Sequence, residues 1–396
     1  MARPTSSAPT STLTVIGGGL AGLTAAIAAA EAGVKVTLHE SHHTLGGRAR
    51  TAEGPYRTND GPHALYSGGP HWTWLRQRDL IGPLAPLPPR EVARLRLRHR
   101  GTLRRTPPLP LLRLLRPGAR RTAPVDADFL TWATGLVGEE GARAAAHYAA
   151  VALFHHDPGA LSAAFVWERL RRATRLPPEA RCPRGGWGAV VDRMASRAWN
   201  LGVRMETLSR VDRLPTDGPV IVATSLDAAR GLLGDATLAW PSGRTVLVDL
   251  AVRTRRGDAF AVSDLDAPGW VERFTAQDPT LAPPGEQLVQ GQIPIGPDGR
   301  KADGVARAEE LFDLGLPGWR ERVTWRRAAV AAGRTGAVDP PGATWRDRPA
   351  VDRGDGVYLA GDQVAAPGVL SEVSFTSALT AVSLAVGRHA PALHRE

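Results

Sequence analysis

The feature that most constrains the fold is a glycine-rich turn between a short apolar stretch and an alanine-rich run. Residues 14–40 read TVIGGGLAGLTAAIAAAEAGVKVTLHE. Apolar residues 13–16 predict a buried strand, the run ending at Ala32 predicts a helix, and residues 34–39 predict a second strand. Glycines in the first turn of such a strand–helix–strand unit are the fingerprint of a dinucleotide-binding domain. The sequence therefore predicts an α/β class with a parallel sheet.

Each residue of the turn is predicted to contact the dinucleotide in its own way. Gly17 permits the tight turn, Gly19 lets the backbone approach a pyrophosphate, and Gly22 lets the helix pack closely on the sheet. Leu20 and Ala21 begin the helix, whose unpaired N–H groups and dipole favour phosphate.

An acidic residue ends the second strand. Glu40 is placed to accept hydrogen bonds from an adenosine ribose, and Ser41 follows it in the predicted contact set. A carboxylate at this position would repel a 2′-phosphate, which disfavours NADP.

Two further stretches resemble one family. Residues 45–49 read LGGRA, and residues 356–381 read GVYLAGDQVAAPGVLSEVSFTSALTA. Both resemble the flavin-binding elements of the FAD-dependent amine oxidase and phytoene desaturase superfamily. The second stretch has Phe375 as its one aromatic residue apart from Tyr358 in the strand, so it lacks the aromatic pair of the amine-oxidising branch and is closer to the phytoene desaturase-like branch.

The resemblance implies noncovalent FAD and places further residues around it. Those assigned to the cofactor are Gly46, Gly47, Arg48, Gly61, Pro62, His63, Val211, Gly361, Asp362, Val369, Leu370 and Ser371. His63 and Tyr66 lie in the loop that returns to the flavin and are the predicted catalytic residues, His63 for proton handling or substrate orientation. Packing within that loop explains His63 equally well.

The resemblance also implies a Rossmann-like FAD-binding domain with an inserted α+β substrate domain, whose antiparallel sheet and helices form an apolar lid. The FAD-binding domain is predicted over residues 11–75, 182–242 and 350–392, and the substrate domain over 76–181 and 243–349. Short strands are predicted at residues 56–58, 211–214 and 219–224, and residues 319–329 are expected to lead back to the FAD-binding domain.

The charge of the chain is concentrated in one segment. The chain has 396 residues and a net charge of +10, and the segment from Arg90 to Arg121 holds eleven arginines and one acid, Glu91. A single patch does not predict a nucleic-acid partner. A solvated arginine-rich face explains the patch, and so does weak peripheral contact with an anionic membrane through Arg94 to Arg121.

The cysteine content and the apolar runs of the sequence indicate the cellular compartment of the protein. Cys182 is the single cysteine, so no internal disulfide is expected, and no residues have metal-ligand spacing. The first twelve residues lack the apolar core of a signal peptide, and no run is long enough to span a membrane. We expect a cytoplasmic protein, with the membrane-peripheral alternative left open.

Three functions are compatible with these motifs. The first is a flavin-dependent dehydrogenase or desaturase of specialised metabolism, which removes a hydride from an apolar or conjugated small molecule and passes electrons to oxygen, a quinone or another acceptor. The second is an amine oxidase that forms an imine. The third is a redox-neutral flavin isomerase or a non-catalytic binding module on the same fold.

Overall fold

The computed structural model describes residues 12–61, 64–116 and 121–387. The strands are β1 (Thr12–Ile16), β2 (Lys35–His39), β3 (Leu65–Tyr66), β4 (Leu84–Ala85), β5 (Leu95–His99), β6 (Thr102–Arg104), β7 (Ala180–Pro183), β8 (Arg204–Glu206), β9 (Val220–Val222), β10 (Ser242–Arg253), β11 (Ala261–Asp264), β12 (Trp270–Arg273), β13 (Glu286–Pro294), β14 (Val323–Ala337) and β15 (Val357–Leu359). The helices are α1 (Leu20–Glu31), α2 (Pro70–Gln77), α3 (Pro89–Val92), α4 (Leu109–Leu114), α5 (Phe129–Val137), α6 (Glu139–Leu153), α7 (Ala163–Ala173), α8 (Gly188–Asn200), α9 (Leu226–Leu233), α10 (Lys301–Gly315) and α11 (Ser371–Ala385).

The first sheet is parallel and has the strand order β15-β9-β1-β2-β8. The central strand β1 buries Val15 and Ile16, and helices α1, α8 and α11 contribute Leu23, Met194 and Phe375 to the same core. Parallel strands need apolar cover on both faces, which explains why these strands read as nearly continuous apolar runs. The predicted α/β class with a Rossmann-like sheet is confirmed.

The second sheet has the strand order β14-β10-β13-β12-β11-β5-β6. Its pairs are antiparallel except for β11 with β5, which is parallel. Helix α10 covers one face, where Val248 and Val289 pack against Phe312. Because paired residues of an antiparallel sheet share a face, Asp249 and its partners Gln290 and Arg327 lie on the opposite face, which we call the inner face.

Helix α6 lies against this inner face. The Thr245 hydroxyl donates to the carbonyl of Phe154 at 3.1 Å, and His147 Nδ1 lies 2.9 Å from the carbonyl of Leu265. The space between the two sheets is therefore closed on one side by α6 and its neighbour α7. The small sheet β3-β7-β4 contributes to another side through Tyr66.

Strand β14, which begins at Val323 and pairs with β10 along its length, was not predicted as a strand. Two local predictions are wrong. Residues 211–214 form no strand, and Pro215, which has no backbone N–H to donate, follows them. Residues 56–58 form none either, because the Thr58 N–H bonds back to the carbonyl of Tyr56 at 3.2 Å, as in a turn.

The predicted domain boundaries stay a prediction. The strands of the parallel sheet nevertheless come from three separate parts of the chain, namely residues 12–39, 204–222 and 357–359.

Candidate functional site

The glycine turn requires glycine at two positions. Gly17 has a φ of +107°, and its N–H donates to the carbonyl of His39 at 2.7 Å. A Cβ added to Gly22 would lie 1.8 Å from the carbonyl oxygen of Gly17. The turn and the first turn of α1 therefore touch, as close packing of helix on strand demands.

The N-terminus of α1 is open in front of the turn. No side chain caps the helix at Gly19, and its first turn carries no acid. A Cβ added to Gly19 would meet only the carbonyl oxygen of Gly46, at 4.0 Å. The N–H groups of Leu20 and Ala21 belong to the unpaired donors of a helix start, and the empty space before them suits an anion.

The carboxylate of Glu40 lies beside this opening. The residue is buried, and it accepts hydrogen bonds from the backbone N–H of Gly18 at 2.8 Å and of His42 at 2.9 Å. The Ser41 hydroxyl donates to it at 3.3 Å. These bonds hold the carboxylate at the end of β2, where the sequence placed it for a ribose.

The Gly-Gly-Arg stretch packs directly on the glycine turn. The Gly46 N–H donates to the carbonyl of Gly18 at 2.7 Å, and Gly46 has a φ of +105°. A Cβ on Gly47 would lie 3.4 Å from the Cα of Gly19, and one on Gly61 would lie 3.3 Å from the carbonyl of Arg48. These predicted cofactor residues are thus brought together.

An ion pair joins this stretch to the C-terminal motif. Arg48 donates to both carboxylate oxygens of Asp362, at 2.5 and 2.7 Å. Burial alone would raise the pKa of Asp362, but the Arg48 guanidinium holds it below its usual range. The Arg48 side chain is nevertheless 41% exposed.

The loop before α11 faces the same region. Leu370 has a φ of +54°, and the Val369 N–H donates to Glu372 at 2.9 Å. The Gly361 N–H donates to Ser377 on α11 at 2.9 Å, and Ser371 is the first residue of that helix. The C-terminal motif is therefore anchored on its own helix.

A small recess of about 10 Å³ lies beside Asp362. Its walls come from the ends of α6 and β14, from α7 and from the start of α11, and include Leu153, Arg169, Gly336 and Leu370. Burial lowers the pKa of Arg169 to about 10, a value at which the guanidinium is still charged near neutral pH.

The comparisons with known proteins agree with this geometry. Residues 15–78 match the family of NAD(P)-binding Rossmann-like domains. The chain contains a Rossmann-like domain. No curated protein matches the sequence.

Solved structures show the fold of the whole chain. An oxidoreductase from Methanosarcina mazei has a TM-score of 0.74 at 18% identity, over 93% of this chain and 99% of its own. Cyclohexylamine oxidase from Brevibacterium oxydans has a TM-score of 0.69 at 18% identity, over 96% and 99%. Reduced UDP-galactopyranose mutase has a TM-score of 0.67 at 15% identity, over 95% and 93%. The chain has the fold of these proteins, and its placement in the phytoene desaturase-like branch stays a prediction.

Tyr66 lies next to the Rossmann-like domain as a buried phenol. Burial raises its pKa to about 12, so that it is protonated near neutral pH and can donate a hydrogen bond but cannot act as a base. The Arg172 guanidinium lies 5.3 Å from its ring centroid. Its catalytic role stays a prediction, and Pro62 and His63 lie outside the described residues.

Arg172 is a buried residue that the sequence did not reveal. It donates to Glu372 at 2.8 Å and to Glu179 at 2.7 Å, which ties α7 to the first turn of α11. The partners lie far apart in sequence, so no local spacing could have indicated the pair. Val211, predicted to contact adenine, packs half-buried against the core of the Rossmann-like domain, and its role is also still a prediction.

The inner face of the second sheet carries a polar row, although its strands were expected to form an apolar lid. Gln292 donates to Gln290 at 2.9 Å, and Gln290 donates to Asp249 at 2.7 Å. Arg327 donates to Asp249 at 2.9 Å and to Asp60 at 3.2 Å. The alternation of apolar residues in these strands predicted the buried face that packs on α10. It did not indicate that the side chains of the inner face form hydrogen bonds with each other.

The arginine-rich segment is partly neutralised by acids from other elements. Arg98 lies 3.1 Å from Asp264, and Arg100 donates to Glu140 at 2.6 Å. The net charge counted from Arg90 to Arg121 therefore overstates the positive electrostatic potential at this surface.

In the described parts of the chain, no helix is both long and apolar enough to cross a membrane. The same parts contain no group of three or more His, Cys, Asp or Glu residues arranged to hold a metal ion.

Proposed function

We propose that this chain is an FAD-dependent oxidoreductase that removes a hydride from a small molecule. One observation carries the proposal: the glycine turn, Glu40 and the Gly-Gly-Arg stretch, which are near one another in sequence, meet the Asp362 motif, which lies 314 residues beyond Arg48. A nicotinamide cofactor bound by a Rossmann-like domain would not need the Arg48–Asp362 element beyond the first turn.

The residues around the opening fit FAD. Glu40 would hold the ribose, and the open space before Gly19 would take the diphosphate. Arg48 and Asp362 would contact the diphosphate or the ribityl chain, and Leu370 with the start of α11 would lie at the flavin edge, where a helix N-terminus favours negative charge. When bound, FAD supplies a two-electron acceptor for the substrate.

The substrate belongs between the inner face of the second sheet and this opening. Helices α6 and α7 close that space and keep bulk water away. Oxygen, a quinone or another acceptor would take the electrons.

A single glycine tests the proposal. In Gly19→Ala the new Cβ meets no protein atom closer than 4.0 Å, yet it occupies the space assigned to the diphosphate. We expect the parent protein to purify yellow or to take up FAD stoichiometrically, and the variant to bind FAD at least about tenfold more weakly, the effect of ~1.4 kcal/mol. Flavin fluorescence titration measures the affinity.

Gly231→Ala on α9 is the matched control, since a Cβ there meets nothing within 4 Å and no ligand is expected nearby. It should leave FAD affinity unchanged. A parent protein that stays colourless after reconstitution with FAD would refute the proposed cofactor. A Gly19→Ala variant that binds FAD normally would refute its position.

A further inference from the structure

Two buried guanidiniums line the recess beside Asp362. Arg169 on α7 and Arg348, which follows β14 in the chain, are each 4% exposed, and both contribute to its wall. The recess has a volume of about 10 Å³, which is enough for one water-sized group. Arginine is rarely buried without a carboxylate partner. The recess therefore combines two positive charges with a space for one small occupant.

One guanidinium nitrogen of Arg348 lacks a partner. The Nε and Nη2 atoms donate to the carboxylate of Asp339, at 2.9 and 2.8 Å, and Asp339 is not among the described residues of the recess wall. The Nη1 atom is buried and finds no hydrogen-bond acceptor in the described parts of the chain. A buried donor that loses water without gaining another acceptor destabilises the fold. Because the other two nitrogens bond to Asp339, Nη1 is the one left to face the recess.

The charge of Arg169 is compensated only in part. Its Nη1 donates to the carbonyl of Phe165 at 3.1 Å, and its Nη2 donates to the carbonyl of Gly368 at 3.4 Å. Its Cζ atom lies 3.5 Å from the centroid of the Phe165 ring. The ion-pair partner Glu168 lies 3.4 Å from Nη1, but its side chain is 57% exposed. Arg169 thus carries a buried charge without a buried carboxylate in the described chain to neutralise it.

The charges around the recess favour an anion. Asp362 is the one acid among the described residues of its wall, but both oxygens of this carboxylate accept hydrogen bonds from Arg48. Burial lowers the pKa of Arg169 to about 10, and the charge of Arg348 lowers it further, while Glu168 offsets part of the shift. Arg169 is still protonated near neutral pH, so two like charges border the same small space.

We propose that the recess is a binding site for one chloride ion, held between the guanidiniums of Arg169 and Arg348. The ion accepts a hydrogen bond from Nη1 of Arg348 and reduces the repulsion between the two positive charges. A water molecule could fill the same volume, but it would leave both charges as they are. Sulfate and phosphate are too large for a recess that holds one water-sized group. The site needs no cofactor, so it does not depend on the proposed function.

Chloride binding can be measured on the full chain after dialysis into sodium gluconate, whose anion is too large for the recess. When chloride replaces gluconate at constant ionic strength, the Tm of the parent protein should rise by about 2–4 °C and then reach a plateau, because chloride binds the folded state. Chloride NMR provides a direct measurement, since ions that exchange with a protein site give a broader line. The parent should show such excess line width.

Arg169→Gln tests the position of the site, because it removes one of the two charges and keeps a polar side chain. It should abolish both the chloride-dependent rise in Tm and the excess line width. Arg171→Gln is the matched control, since Arg171 lies on the same helix with an exposed side chain, and it should keep the parental chloride dependence. Arg169→Lys retains the charge and should bind chloride more weakly than the parent but detectably.

Two results would overturn the proposal. A parent protein with the same Tm in chloride and gluconate, and without excess line width, holds only water in the recess. A chloride effect of parental size in Arg169→Gln would place the ion elsewhere on the protein. Both results are independent of the cofactor, since a protein that rejects FAD can still bind chloride and a yellow protein can lack any chloride dependence.

Discussion

The carboxylate of Glu40 holds the backbone of the glycine turn and, in the proposed function, also binds the ribose of FAD. It accepts the N–H groups of Gly18 and His42, and these bonds aim it at the opening of the glycine turn. Glu40→Ala should weaken FAD binding by ~1–3 kcal/mol, since ribose hydroxyls lose a charged acceptor. Titration of the flavin-free protein with FAD measures the loss.

Glu206→Ala on the neighbouring strand β8 is the control for this substitution. Glu206 pairs with Arg204 at the surface side of the same sheet and should leave FAD affinity unchanged. Equal affinities of Glu40→Ala and the parent would contradict the ribose assignment.

Glu40 and Arg172 show which residues near the candidate site a sequence reveals. Glu40 was predicted because its partner, the glycine turn, lies in the same short strand–helix–strand unit, whose spacing is fixed by local geometry. Arg172 was missed because its partner Glu372 lies 200 residues away on α11. Only the assembled fold brings these two side chains together.

The half-buried guanidinium of Arg172 links helix α7 to helix α11 through its bond to Glu372. The side chain of Arg172 is 17% exposed and those of Glu372 and Glu179 are 3% and 7% exposed. Arg172→Met should lower the free energy of unfolding by ~3–5 kcal/mol, because it leaves buried carboxylates without their partner. Urea denaturation measures the change.

Arg175 offers a matched control one helical turn away. It also pairs with Glu179, at 2.6 Å, but its side chain is 66% exposed. Arg175→Met should change stability by less than ~1 kcal/mol, as exposed pairs do. Similar losses of unfolding free energy in Arg172→Met and Arg175→Met would mean that burial does not determine how strongly these ion pairs stabilise the protein.

Among the larger elements, the parallel sheet was predictable and β14 was not. Strand β9 is a wholly apolar run, and β1 ends in apolar residues before the glycine turn, which is the pattern of buried parallel strands. Strand β2 instead alternates, with Val36 and Leu38 buried. Strand β14 contains Arg326 and Arg327 next to each other, and their charges conceal its alternation. In the fold Arg326 turns outward to Glu309 and Arg327 inward to Asp249.

At the scale of the whole molecule, the basic segment from Arg90 to Arg121 includes one short amphipathic helix, α4. In α4, Leu111 and Leu114 are buried, whereas Leu109 and Leu112 are 58% and 47% exposed beside Arg113. We expect weak, salt-sensitive binding to vesicles that contain anionic lipid, and none to neutral vesicles. Co-sedimentation with the two kinds of vesicle measures it.

The double variant Leu109→Ser with Leu112→Ser should abolish this binding without affecting the buried leucines. If the parent protein does not bind anionic vesicles at low salt, the segment is a solvated surface and the predicted membrane contact is wrong.

The parallel sheet also has a consequence for how the protein is made. Its central strand β1 leaves the ribosome before its neighbour β9, which follows some two hundred residues later, and before β15 with Asp362. Until then the growing chain holds an unpaired strand edge and Arg48 has no Asp362 to meet. In the proposed function, capture of FAD must therefore wait until Asp362 and α11 have been synthesised.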